Sequence, residues 1–164
     1  MHTISLRTAT EADATAISSL ITPFCPLAPG TVLGDAFLLT LSADAFRIRL
    51  REPAWHFIVA FDAGHIIGTA SIKATQLTHL FVDTRYHGQG LARTLWQAVL
   101  AHARAQGNAG AITVNADVGA VEVYRRLGFE VAGEQRAPHG VAYIPMVFGA
   151  PSNNGAPTNA SSAI

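Results

Sequence analysis

The chain has 164 residues, enough to bury one sizeable core, and its 49% hydrophobic and 13% charged content excludes an intrinsically disordered chain. Eleven basic residues balance eleven acidic ones, so the charge gives no reason to expect nucleic acid or another polyanion as a partner. The apolar stretches fall far short of the roughly 20 residues a membrane span needs, and residues 1–7 lack a basic and then apolar signal pattern, so no membrane association and a cytoplasmic location are expected.

In chain order, residues 4–7 read as a first strand. Thr10 then caps a helix whose apolar positions Ala16, Ile17, Leu20 and Ile21 share one face. Pro23, Pro26 and Pro29 end it, and Cys25, the single cysteine, forms no internal disulfide and reads as an inert thiol. A second helical region covers about 35–50, with a break near Ser42 and Phe37, Leu38, Leu41, Phe46 and Leu50 as its core side. Residues 55–61 and 66–72 form a hairpin around the compact loop 62–65. A strand over 77–82 feeds a glycine loop and a long helix from about 90 to 106, closed by Gly107. A strand over 111–116 follows, then a helix over 118–127 with Asp117 as its cap and Gly128 as its end, and closing strands over 129–133 and 141–147. The domain is thus assigned to residues 1–148. The remainder, 149–164, is rich in Ala, Pro, Ser, Asn and Gly and reads as a flexible tail.

The loop His87-Gly88-Gln89-Gly90-Leu91-Ala92-Arg93 carries the most chemistry. A helix opening straight from glycines presents unpaired N–H groups and the positive end of its dipole, which suits an anion such as a pyrophosphate. It is not a dinucleotide fingerprint, because Arg93 stands where the third glycine belongs. It is not a P-loop either, since the only lysine, Lys73, sits in a strand. This run resembles the cofactor loop of the GNAT superfamily of N-acetyltransferases, with His87 in place of the usual Gln or Arg and Thr84 in place of a frequent Pro. A second segment, Asn115-Ala116-Asp117 with Ala120-Val121 and Tyr124-Arg125-Arg126-Leu127-Gly128-Phe129, resembles the superfamily's Asn-Ala-Ser, Ala-Val and Phe-Tyr-x-x-Leu-Gly-Phe pattern.

That resemblance covers about residues 3–148. It implies an α/β GNAT-like acyltransferase fold: a mixed, mostly antiparallel sheet with splayed middle strands, flanked by helices. It implies acetyl-CoA as acyl donor, no metal, an amine acceptor (small molecule, amino acid or peptide N-terminus), and room for a homodimer. By the same resemblance Leu80, Phe81 and Val82 bind the pantetheine arm, with a backbone N–H near Phe81 or Val82 on the thioester carbonyl. Residues His87, Gly88, Gln89, Gly90, Leu91, Ala92 and Arg93 hold the pyrophosphate, Asn115 contacts the arm, and Tyr124 protonates the leaving thiolate. Where some members carry a Glu base this chain has Gln76. His79, with an ordinary pKa of about 6.5, is the other candidate base. Alternation places His79 on the face of Leu77 and Phe81. The alternative to an enzyme is a non-catalytic acyl-CoA-binding module. The acceptor segments, 22–55 and 134–142, hold few acids, which disfavours polycationic acceptors.

Overall fold

A computed structural model describes residues 3–27 and 30–149 of the chain. The proposed tail beyond Gly149 therefore lies outside the described residues. Seven strands form one sheet in the order β1-β2-β3-β4-β5-β7-β6. They are β1 (Ser5–Thr8), β2 (Trp55–Asp62), β3 (His65–Lys73), β4 (Gln76–Val82), β5 (Ile112–Asp117), β6 (Glu130–Val131) and β7 (Tyr143–Phe148). All neighbours pair antiparallel except β4 and β5, which run parallel. Among the described residues no helix is long and apolar enough to cross a membrane.

The helices are α1 (Ala14–Ile21), α2 (Val32–Thr40), α3 (Ala43–Arg51), α4 (Leu91–Ala105) and α5 (Val121–Arg126). They divide the core between the two faces of the sheet. On one face Leu95, Trp96 and Val99 of α4 bury against Ile67, Ile72, Leu77 and Met146. On the other, Ile17 and Ile21 of α1 and Phe46 of α3 bury against Phe57 and Val59. Burying a side chain of this size contributes about 1.5–3 kcal/mol, so each face is held by its apolar stripe rather than by the helices' intrinsic propensity.

Two expectations shift. Thr10 caps a short 3-10 turn, Glu11–Asp13, and α1 starts only at Ala14. Its buried positions are Ala14, Ile17 and Ile21, spaced i, i+3 and i+7, so the stripe centres on Ile17 and leaves Ala16 exposed at its edge. The break near Ser42 is a full helix boundary: the Ser42 hydroxyl accepts the Ala45 N–H at 3.1 Å and starts α3.

Candidate active site

The site begins with an irregularity in β4. The β3–β4 register shifts by one residue, with Ile72 opposite Leu77 but Ser71 opposite His79. Thr78 is the extra residue of a bulge. The inserted residue turns every later side chain over, so His79 lies on the face opposite Leu77, not on the same face as alternation predicts. Leu77 joins the α4 core, whereas the His79 ring packs on Phe46, Trp55 and Phe57 with centroids 5.5, 6.0 and 5.6 Å away.

Just past the bulge β4 leaves β5. Their pairing ends with Gln76 opposite Thr113 and Leu77 opposite Val114, so the later residues of the two strands diverge. The ladder bond from Asp83 N to Ile67 O, 2.8 Å, fixes which main-chain groups are left over. Alternation back along the antiparallel ladder turns the Phe81 and His79 N–H groups toward β3 and those of Leu80 and Val82 toward the gap. Val82 is therefore the one of the two expected donors, Phe81 and Val82, that faces the gap. Leu80, Phe81, Val82, Asn115, Asp117 and Tyr124 all line one cavity of about 880 Å³.

The glycine loop closes one end of that cavity. The Asp83 carboxylate accepts the Arg85 N–H at 3.0 Å, and the Tyr86 hydroxyl donates to Asp62 at 2.8 Å, which ties the loop to the β2–β3 hairpin. The His87 ring Nε2 lies 2.8 Å from the Val82 carbonyl, so the residue that departs from the family pattern braces the loop against β4. Gly88 and Gly90 have φ of 74° and 78°, a region that disfavours L side chains, and no atom lies within 4 Å of either added Cβ. Gly90 is the N-cap of α4 and offers no side-chain cap. The first-turn N–H groups of Leu91, Ala92 and Arg93 thus open onto the cavity with the helix dipole behind them. Arg93 also donates to the Arg126 carbonyl at 2.6 Å, joining α4 to the end of α5. Gln89 differs from its neighbours, turning its amide toward the Arg85 carbonyl, 3.4 Å away, off the cavity wall.

Tyr124 stands on α5 with its ring edge-on to Phe129, centroids 5.6 Å apart. Its hydroxyl makes no hydrogen bond within the described residues and reaches the cavity. Burial, assisted by the nearby Asp117 carboxylate, pushes its pKa up to about 12, so it keeps its proton at physiological pH. Asn115 is exposed on β5 and lines the same cavity, while Asp117 is occupied as a turn cap, accepting the Gly119 N–H at 2.9 Å.

His79 is a different group from the one the sequence implies. Enclosure by aromatic rings, with the Arg49 cation close by, lowers its pKa to about 3, so it is neutral at physiological pH and only weakly basic. Its Nδ1 lies 2.6 Å from the Ser71 hydroxyl oxygen, which is itself 2.7 Å from the Thr78 hydroxyl, and this chain fixes the orientation of the ring while either tautomer satisfies it. Gln76 pairs with Thr113 at the closed end of the gap and is not on the cavity wall.

Sequence reasoning missed two features. The Ser71–Thr78 pair orients His79 but lies across a strand pair, and only the register brings it together. Arg49 lines the cavity although nothing in the helix run Arg47-Ile48-Arg49 sets it apart from the other arginines of α3.

Comparison with known proteins matches this fold. The PaiA N-acetyltransferase of Thermoplasma acidophilum, solved in complex with coenzyme A, superposes with a TM-score of 0.74 at 14% identity over 90% of this chain and 99% of that one. A GCN5-related N-acetyltransferase from Rhodopseudomonas palustris gives a TM-score of 0.74 at 23% identity, covering 91% and 97%. In sequence, human N-acetyltransferase 8B is 33% identical over 118 residues, which is 65% of this chain and 52% of that protein. Rat N-acetyltransferase 8 is 34% identical over 109 residues, or 59% and 49%. The chain thus spans about half the length of these relatives. The family model for an acetyltransferase (GNAT) domain matches residues 13–149, every element from α1 to β7, and the chain belongs to the GNAT acetyltransferase family.

Proposed function

We propose that the protein is an N-acetyltransferase that moves an acetyl group from acetyl-CoA to a primary amine by direct attack, without an acyl-enzyme and without a metal. The observation that carries this reading is a protonated, unpartnered Tyr124 hydroxyl in the same cavity as an uncapped helix N-terminus. The cavity suits the donor. Glycine N–H groups and the α4 dipole favour a pyrophosphate, the free edge of β4 offers strand-like bonds to an amide-bearing arm, and Asn115 faces it from β5.

Acetyl-CoA supplies a thioester, whose carbonyl carbon accepts the amine while the C–S bond breaks. The residues do the rest. The gap-facing N–H groups of Leu80 and Val82 are the donors available to a carbonyl oxygen as it gains negative charge. The acceptor reacts as its free amine, the Tyr124 hydroxyl delivers a proton to the departing sulfur, and the proton lost by the attacking nitrogen returns through solvent to the Tyr124 oxygen, so an amide, a free thiol and a neutral phenol result. In the tautomer whose Nδ1–H donates to Ser71, His79 Nε2 takes a hydrogen bond from the incoming amine and orients the amine lone pair away from itself. Arg93 and Arg126, on the cavity wall, add positive charge for the donor's phosphates.

A second reading, an acyl-CoA-binding module without turnover, draws on the low basicity of His79 and on Gln76. Free-thiol release from acetyl-CoA with a panel of small amines, amino acids and short peptides separates the two. The enzyme reading requires amine-dependent release above the buffer rate, and binding without such release on any of them favours the module.

A further inference from the structure

We propose that Arg49 is a carboxylate anchor and that the acceptor is an amino acid with an apolar side chain, a reading that rests on the acetyl-transfer function above. The part of the cavity away from the glycine loop is walled by α1, α2, α3 and their connections, with Ile21, Phe24, Phe37 and Leu41 among its side chains. Among the described residues, Arg49 is the single charged one that these elements contribute to the wall. It is held in place. One guanidinium nitrogen donates to the Thr40 carbonyl at 2.7 Å, and the guanidinium carbon lies 5.0 Å over Phe46 and 5.7 Å over Trp55.

What it lacks is an anion. Burial lowers its pKa, which marks a partly desolvated charge, and Glu52 acts on it only at a distance while accepting the Trp55 Nε1–H at 3.1 Å. No carboxylate forms an ion pair with Arg49 among the described residues. A guanidinium carries five N–H donors in a planar fork, and most of this one's remain for a ligand. A desolvated cation without a counter-ion is unfavourable, and a bound carboxylate removes that cost.

The position of His79 turns the anion site into a description of the whole acceptor. Its ring packs on Phe46 and Trp55, the two rings that carry Arg49, and it feels that cation directly. A carboxylate on Arg49 therefore sits beside the His79 ring, against which the function proposed above sets the acceptor amine. Neighbouring carboxylate and amine are the two ends of an amino acid. Its side chain then meets Phe24, Phe37 and Leu41. The same cation opposes a second positive charge, which works against polyamines.

The test compares three acceptors that share an aromatic side chain: L-phenylalanine, L-phenylalaninamide and phenethylamine. Initial rates of thiol release with acetyl-CoA are measured for the wild type, Arg49→Gln and Arg49→Lys, with the Tm of each protein recorded to establish folding. Wild type is expected to favour phenylalanine over its amide by at least about tenfold in kcat/KM. In Arg49→Gln that ratio should collapse toward one, mainly through a raised KM for phenylalanine, and Arg49→Lys should restore part of it. Equal or better use of the amide or the plain amine by wild type overturns the carboxylate anchor and leaves acetyl transfer standing. An acid-to-amide ratio unchanged in folded Arg49→Gln overturns it too. No release with any of the three also overturns it, and amine-dependent release elsewhere in a wider panel shows whether acetyl transfer survives.

Discussion

At the scale of single residues, Tyr124 and His79 carry opposite pKa displacements for the same reason. Each sits in low-dielectric surroundings that disfavour its charged form, which keeps the phenol protonated and the imidazole neutral. Tyr124→Phe keeps the ring against Phe129 and removes only the donor. Turnover at saturating acetyl-CoA should fall on the order of 10²-fold while acetyl-CoA affinity stays put. Unchanged turnover would mean that the thiolate leaves unassisted. For His79 the linkage has a definite sign. Its folded pKa of about 3 lies below its ordinary value of 6.5, and His56, half-buried and ring-stacked on His102 at 3.4 Å, is displaced in the same direction. Below pH 6.5 the unfolded chain takes up protons that the folded chain refuses, so stability present at neutral pH is lost progressively as pH falls from about 6.5 toward 3. Urea midpoints at pH 7.5 and 5 should show a smaller drop in His79→Gln than in wild type. Equal drops would contradict the account of the aromatic enclosure.

Among the elements, the loop from β4 into α4 makes the sharpest demand on sequence. Gly90 stands at φ 78° as an N-cap with nothing filling the space its side chain would take. Gly90→Val should fold, at a cost of about 1–3 kcal/mol for a β-branched residue in that region, and should lose the rise in Tm that acetyl-CoA gives the wild type. A Val variant with the full rise would show that the phosphates bind elsewhere. Legibility divides along the same line. The glycine loop, the β2–β3 hairpin, the Ser42 boundary and the Tyr124 segment could be read because turn chemistry and helix periodicity are local signals. The face of His79 could not, because the Thr78 bulge adds one residue to a period-2 pattern and leaves no mark in composition. Nor could the role of Arg49: its neighbours Arg47 and Arg51 pair with Asp44 and Glu11, and only packing shows that Arg49 leans onto Phe46 and Trp55 instead.

For the whole molecule, one sheet with a parallel pair that parts beyond Leu77 supplies both the cavity and the division of labour along it. Under the proposed function, donor contacts come from α4, β4 and β5, and acceptor contacts from the helices before β2 and from the loop leading into β7, with Tyr124 and His79 between them. The polar composition after Gly149 predicts that truncation after Phe148 leaves the Tm and acetyl-CoA binding nearly unchanged, and a clear loss of either would show that those residues contribute to the domain or its site. Following the acetyl group itself tests the central claim most directly. Protein is mixed with acetyl-CoA labelled in its acetyl carbon and with an accepting amine, and the label is located by mass spectrometry during the first turnovers. The account predicts label on the acceptor nitrogen in an amount equal to the thiol freed, with none passing through the protein. Label that stays in intact acetyl-CoA, or that appears first on a side chain such as Cys25, would contradict it.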